Sequence, residues 1–353
     1  MKTEVGEIYA RKRWRQAVIL AALLAALALT MVVVVNLGPV DISVPTVAKI
    51  TFSKIPLLGN LVSESWSATH EAIVMDVRLP RILAAVLIGS ALATAGCAMQ
   101  GMFRNPMASP YIVGVSSGAA FGAALAMVLG IGWGTYAIPT MAFVFATLAV
   151  FIVYNIARVR RRVPVETLLL AGIAVGSFFS ALVSFMNYIA GEKLPAIVFW
   201  LMGGLWASDW DKVIMAFPPI ILGMGGILLF NRDLNLMLLG EEQALDMGVN
   251  VERVKQIILV FASLVTASAV CISGIIGFVG LIIPHIMRIL VGPDHRILLP
   301  SSCLAGAMFL IWTDTLARTV IQPTELPVGI ITALFGAPFF LFLLRRRRRV
   351  TGW

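Results

Sequence analysis

Uncharged runs of about twenty residues recur along this chain, and nothing else limits its fold so strongly. A helix needs about 20 apolar residues to cross ~30 Å of hydrocarbon. Irregular backbone facing lipid would leave peptide groups unpaired, so each run must be helical. Composition agrees: 59% of the 353 residues are hydrophobic and only 13% charged, where a soluble domain carries about a quarter charged residues. The chain is therefore an all-α, polytopic integral membrane protein, read as a single domain over 1–353.

The runs place spans near 17–36, 82–103, 110–130, 136–157, 167–190, 213–230, 256–274, 275–291, 297–318 and 326–344. Two divisions need support. Nothing charged lies between Asn105 and Ala157, too long for one helix, and GIGWG at 130–134 supplies the break. From Gln256 to Met287 the chain is long for one span and short for two. Gly274, Gly277, Gly280 and Pro284 predict a turn followed by a short, broken helix. With the N-terminus inside and spans alternating, 20 of the 27 Lys and Arg residues fall on the inner side. Removing or adding a span would move whole basic clusters outside, so ten spans with both termini cytoplasmic is the consistent solution. The N-terminal run is too long for a signal-peptide core and reads as a retained anchor.

Small residues in IGSALATAG, VSSGAAFGAA and CLAGA predict close helix packing. A shared Gly-rich rhythm in the two halves points to an inverted repeat. The net charge of +9 sits at the ends of oily runs, which orients the protein and gives no soluble face for nucleic acid. Cys97, Cys271 and Cys303 lie inside apolar runs without a CxxC pair. His70, His285 and His295 are scattered, so no metal site and no cofactor is expected. No GxSxG occurs and no lysine follows a glycine, so the chain lacks a phosphate-binding loop. If ATP drives it, another chain hydrolyses the nucleotide.

Three segments at the faces carry candidate chemistry. VRLPR at 77–81 sets Arg78 and Arg81 at the outer mouth of a span, either anchoring to headgroups or meeting a partner's carboxylates. Asp314 and Arg318 share one helix face at i,i+4 near the outer end of span nine. On the inner side, the loop 232–255 contains LLGEEQALDMGVNVERVK at 238–255, where charge suddenly concentrates. Glu241 and Glu242 suit a helix N-terminus, and Gly248 is placed to end it. Ala244, Leu245 and Met247, with Val249 beyond, predict a small apolar surface that docks into a partner's groove or packs on the protein's own spans.

Five ordered stretches carry a resemblance. They are RLPRILAAVLIGSALATAGCAMQGMFRNPMASPYIVGVSSGA (78–119), ETLLLAGIAVG (166–176), GEEQALDMGV (240–249), GFVGLIIPHIMRILVGPDHRILLP (277–300) and TELPVGIITALFGAPFF (324–340). Together they resemble the iron-siderophore, haem and vitamin B12 importer permeases, membrane subunits of binding-protein-dependent ABC transporters. The resemblance covers nearly all of the chain after the first span. It implies two permease subunits around a central pathway, a dimer of cytoplasmic ABC ATPase subunits and an extracytoplasmic substrate-binding protein. It further implies that Glu241, Glu242, Ala244, Leu245, Met247 and Gly248 couple to the ATPase. Arg78, Arg81 and Arg318 would dock the binding protein. Asn105 and Met107 match one constriction of the pathway, and Val165 and Glu166 a second, where the family often has small hydroxyl residues.

The expected activity is thus inward passage of an iron-siderophore-type chelate, or of a corrinoid or haem, across the cell membrane with no catalytic residue in this chain. A homodimer is the simplest assembly. An ion-driven secondary transporter would need buried carboxylates along a pathway, and only Asp314 comes close. A membrane-embedded enzyme would need a nucleophile–base or metal constellation, which the sequence does not offer.

Overall fold

A computed structural model describes residues 2–54, 63–159 and 163–351. Arg160, Arg161 and Arg162 of the basic cluster after span four lie outside the described residues. The described chain forms fifteen α-helices. The first eight are α1 (Lys2–Asn36), α2 (Val44–Ser53), α3 (Ala68–Ala72), α4 (Leu79–Met102), α5 (Val115–Leu129), α6 (Ala137–Ala157), α7 (Val165–Ile189) and α8 (Leu194–Met202). After them come α9 (Trp210–Leu229), α10 (Asn231–Met237), α11 (Glu241–Asp246), α12 (Val251–Ser273), α13 (Val279–Val291), α14 (His295–Thr319) and α15 (Val328–Thr351).

Seven helical stretches are long and apolar enough to cross a membrane, and three shorter apolar helices, α5, α13 and the first part of α15, accompany them. Together they fall on the ten runs read from the sequence. Short polar side chains start several helices: Asp209 accepts from the amide of Lys212 and Asn250 from that of Arg253, satisfying backbone donors that the first turn leaves free.

α4 is the axis of the bundle. It is buried on nearly every side from Ile82 to Met102, and α9, α12, α13 and α14 pack around it. Alanine, glycine and serine dominate that stretch because only small side chains let four neighbours approach one helix. A Cβ on Gly96 would lie 1.9 Å from the carbonyl oxygen of Gly280 on α13, and one on Gly89 would lie 2.3 Å from that of Gly306 on α14. The close packing expected from IGSALATAG is therefore realised against the two partner stretches SGIIGFVG and CLAGA. α5, α6 and α7 form a second group beside this core, where Phe121, Phe145 and Phe179 meet edge to face.

The expected break after span seven occurs at Gly274 (φ 69°), and α13 begins only at Val279, four residues later than predicted. Residues 274–278 stay outside any helix instead, Phe278 taking a left-handed backbone (φ 68°), and Tyr111 donates its hydroxyl to the carbonyl of Ile276 at 2.7 Å. Between spans five and six, where no span is expected, the apolar PAIVFWLM folds as most of α8.

Candidate functional site

Two constellations sit at opposite ends of the bundle. On one face, α11 opens with Glu241 and Glu242 in its first turn and ends as Gly248 turns to φ 85°. Its apolar residues do not form the single surface expected. Ala244 is fully buried and Val249 nearly so, while Leu245 and Met247 are 55% and 53% exposed. Successive helical residues point about 100° apart, so Ala244 anchors the helix to the core and its neighbour Leu245 faces out. Glu242 and Gly248 are exposed beside them.

The anchor is also electrostatic. Lys255 of α12, only 7% exposed, places its ammonium 2.8 Å from Glu241 and 3.5 Å from Glu252. The other oxygen of Glu252 accepts the backbone amide of Val163 at 3.0 Å, two residues before α7 begins. A polar chain thus joins α11 to α12 and to the start of α7. Sequence reading counted Lys255 only among the inner bases; its i,i+3 spacing to Glu252 was the available signal.

Val165 and Glu166 open α7, Val165 half-buried and Glu166 exposed. Asn105 and Met107 lie in the turn after α4. The Asn105 carboxamide accepts the Met107 amide at 2.9 Å, which commits that side chain to shaping the turn and leaves Met107 exposed. The two segments are tied further along, where Gly172 of α7 lies against the carbonyl of Ile112. Beyond Glu166, Ser177 and Ser184 follow on the same exposed side of α7, with Ser180 beside them. The sequence reading did not single out these serines. Ser184 donates its hydroxyl to the carbonyl of Ser180 at 3.1 Å, a bond within the helix.

Near the same face, Asp294 caps α14 and gathers three donors: the amide of Arg296, Asn235 at 2.8 Å and Lys12 at 3.2 Å. Burial alone would raise the Asp294 carboxyl, but these donors hold it below its ordinary value.

At the opposite face the three arginines expected to meet a partner are turned inward. Arg81 forks Asp314 with Nε and Nη2 at 3.0 and 2.9 Å, and its Nη1 reaches both oxygens of Glu325 at 3.0 and 2.9 Å. Arg78 donates to the carbonyls of Val35 and Val40. Arg318 sits 3.7 Å from Asp314 and donates to the carbonyl of Val34 at 3.4 Å. All three are at most 7% exposed. Desolvated guanidinium groups need fixed partners, and in the single chain most of theirs are its own carboxylate and carbonyl oxygens, with Arg318 Nε left without a hydrogen bond. The predicted Asp314–Arg318 pair forms, but Arg81 holds the better geometry. Glu325 was not foreseen, because 244 residues separate it from Arg81. Among the described residues no group of three or more His, Cys, Asp or Glu side chains gathers as a metal site.

A bundle of apolar helices carrying a short polar helix at one face is the frame of an integral membrane protein with a docking element. The FecCD transport family model matches residues 23–346, and the chain belongs to that family. It is an ABC importer permease. It is 49% identical to the cobalamin import system permease protein BtuC of Halobacterium salinarum, over 79% of this chain and 75% of that one. It is 38% identical to the molybdate import system permease protein MolB of Haemophilus influenzae, over 94% of this chain and 96% of that one. Among solved structures, a metal-chelate type ABC transporter in an inward-facing conformation superposes with a TM-score of 0.81 at 36% identity, covering 93% of this chain and 99% of that one.

Proposed function

We propose that the chain spans the cell membrane ten times with both termini inside, as an inverted repeat. In this reading it passes a bulky metal chelate of the iron-siderophore type inward. A separate ATPase dimer drives it, an external binding protein feeds it, and a second copy completes the pathway. The observation that carries the reading is α11, whose Leu245 and Met247 project from a helix clamped by Ala244 and Lys255. Two exposed apolar side chains on a rigid mount suit insertion into a groove. The polar chain through Glu252 to Val163 gives motion at α11 a direct route to α7.

The exposed serines of α7 support a pathway shared with the second copy. Asp314, the acid an ion-driven mechanism would need, is already held by Arg81 and Arg318. The binding protein would rest on the outer surface that the arginine network keeps in shape, and not on the guanidinium groups themselves. One observation favours a corrinoid as a second cargo: the relative at 49% identity is a cobalamin permease.

The test is assembly. Leu245→Cys, reconstituted in lipid with its ABC ATPase partner, should cross-link to it, and uptake should require ATP. Cross-linking confined to other surfaces would overturn the coupling assignment. Uptake that persists without ATP and collapses with an ion gradient would overturn the importer reading.

A further inference from the structure

Between α6 and α12 lies a groove of about 400 Å³ that none of the transport steps uses. α6 lines it with Phe143, Phe151 and Tyr154, and α12 with Gln256, Leu259 and Ser263. With Thr147 between Phe143 and Phe151, the positions recur at three- and four-residue intervals, so each helix contributes one continuous stripe. Phe143 to Tyr154 is eleven residues, roughly 16 Å of helix at 1.5 Å per residue. The groove is therefore long and mostly apolar: Tyr154 and Gln256 stand at one end, the Thr147 hydroxyl is spent on the Phe143 carbonyl of its own helix, and Ser263 lies toward the other end.

The Tyr154–Gln256 end is also basic. Glu252 near the start of α12 accepts the amide of Val163 just past the end of α6, so Tyr154 and Gln256 mark the same mouth. Arg158 follows directly after the last residue of α6, where the backbone has turned extended, and Arg253 lies one turn before Gln256 on α12; both are exposed. Neither side chain makes an ion pair among the described residues. The nearest acid in sequence, Glu252, is turned away toward Lys255 and the Val163 amide and does not neutralise them. Charge at the mouth and hydrocarbon along the shaft specify an amphiphile with an anionic head.

We propose that this groove binds an anionic phospholipid, one acyl chain lying between α6 and α12 and its phosphate held by Arg158 and Arg253. A basic mouth between membrane helices on the inner side is where anionic headgroups are recognised. The proposal takes its sidedness from the ten-span topology above. Binding itself is read without nucleotide or uptake, so failure of the transport reading leaves it standing.

The experiment uses the full chain in detergent, titrated with phosphatidylglycerol or phosphatidylcholine and followed by native mass spectrometry. Wild type should retain one phosphatidylglycerol per chain in clear preference to phosphatidylcholine, and glycerol 3-phosphate should not displace it. Arg158→Gln with Arg253→Gln should lower the preference roughly thirty-fold, from about 1 kcal/mol for each basic residue near an anionic surface. Val260→Trp, placed on the groove's exposed rim, should reduce retention of both lipids. Thermal unfolding without added lipid checks that each variant folds. Equal retention of the two lipids by wild type would overturn the proposal, as would an unchanged preference in the double variant. Displacement by glycerol 3-phosphate would assign the arginines to free phosphate and overturn it as well.

Discussion

The two faces of this permease use charge in opposite ways. At the end that the proposed topology places outside, Arg81, Asp314 and Arg318 are each under a tenth exposed, and only Glu325 reaches water. At the end it places inside, Lys255 alone is buried, and its partners Glu241 and Glu252 are 46% and 27% exposed. A desolvated network has one low-energy arrangement, since any broken pair strands a charge. A hydrated one can exchange partners at small cost. The outer network therefore fixes α4, α14 and the segment before α15 in place. The inner one mounts α11 on α12 through a buried lysine whose acidic partners stay in contact with water.

The largest expected effect breaks the outer side. Asp314→Ala strands Arg81 and Arg318 and should cost about 3–5 kcal/mol, read as a large drop in thermal stability of the purified chain in detergent. Glu325→Gln removes a one-third-exposed partner while Arg81 keeps Asp314, and should cost about 1 kcal/mol. If the two variants lost equal stability, the outer network would not be organised around the buried acid, and the contrast between the faces would weaken.

These same residues show what the sequence could and could not reveal. The ten apolar runs were plain because a bilayer dictates length and composition residue by residue. The close crossings at Gly89 and Gly96 followed from small residues recurring on α4. α11 was legible from two acids, a short apolar set and a terminal glycine. Its division into buried Ala244 and exposed Leu245 was not, since the pattern covers under two turns and two helix orientations satisfy it equally. The partners of the arginines are only partly legible. Spacing joins Arg318 to Asp314, but only the folded chain brings Arg81 and Glu325 to them. α8 was missed because its nine residues are too short to register as a span.

On the inner side the contrast should reverse, with activity lost and the fold intact. Leu245→Asp with Met247→Asp alters two side chains that are more than half exposed. Unfolding should shift by no more than about 0.5 kcal/mol for each change, while uptake in the reconstituted assembly falls to background and basal ATP hydrolysis by the partner persists. Lys255→Met should give an intermediate result, with assembly kept and transport per ATP reduced, and Lys255→Arg should restore most of it. Full transport in Lys255→Met would remove the clamp from the coupling route.

The smallest effect concerns Asp294, where the inner face ties α1 to α14 through Lys12. Its carboxyl is held below the ordinary value in the folded chain, by the Arg296 amide, Asn235 and Lys12 acting against burial. A depressed carboxyl stabilises the fold above its unfolded pKa, and that contribution disappears as the pH falls through the folded value. The stability difference between wild type and Asp294→Asn should then stay constant from about pH 8 to pH 5 and close below roughly pH 4, where carboxylates ordinarily protonate. High salt should shrink the Lys12 share, because that lysine is 59% exposed, and leave the buried outer network unaffected. A difference that widened on acidification would mean that the carboxyl is protonated in the folded chain, and the inner tie would then rest on Asn235 and the α14 cap alone.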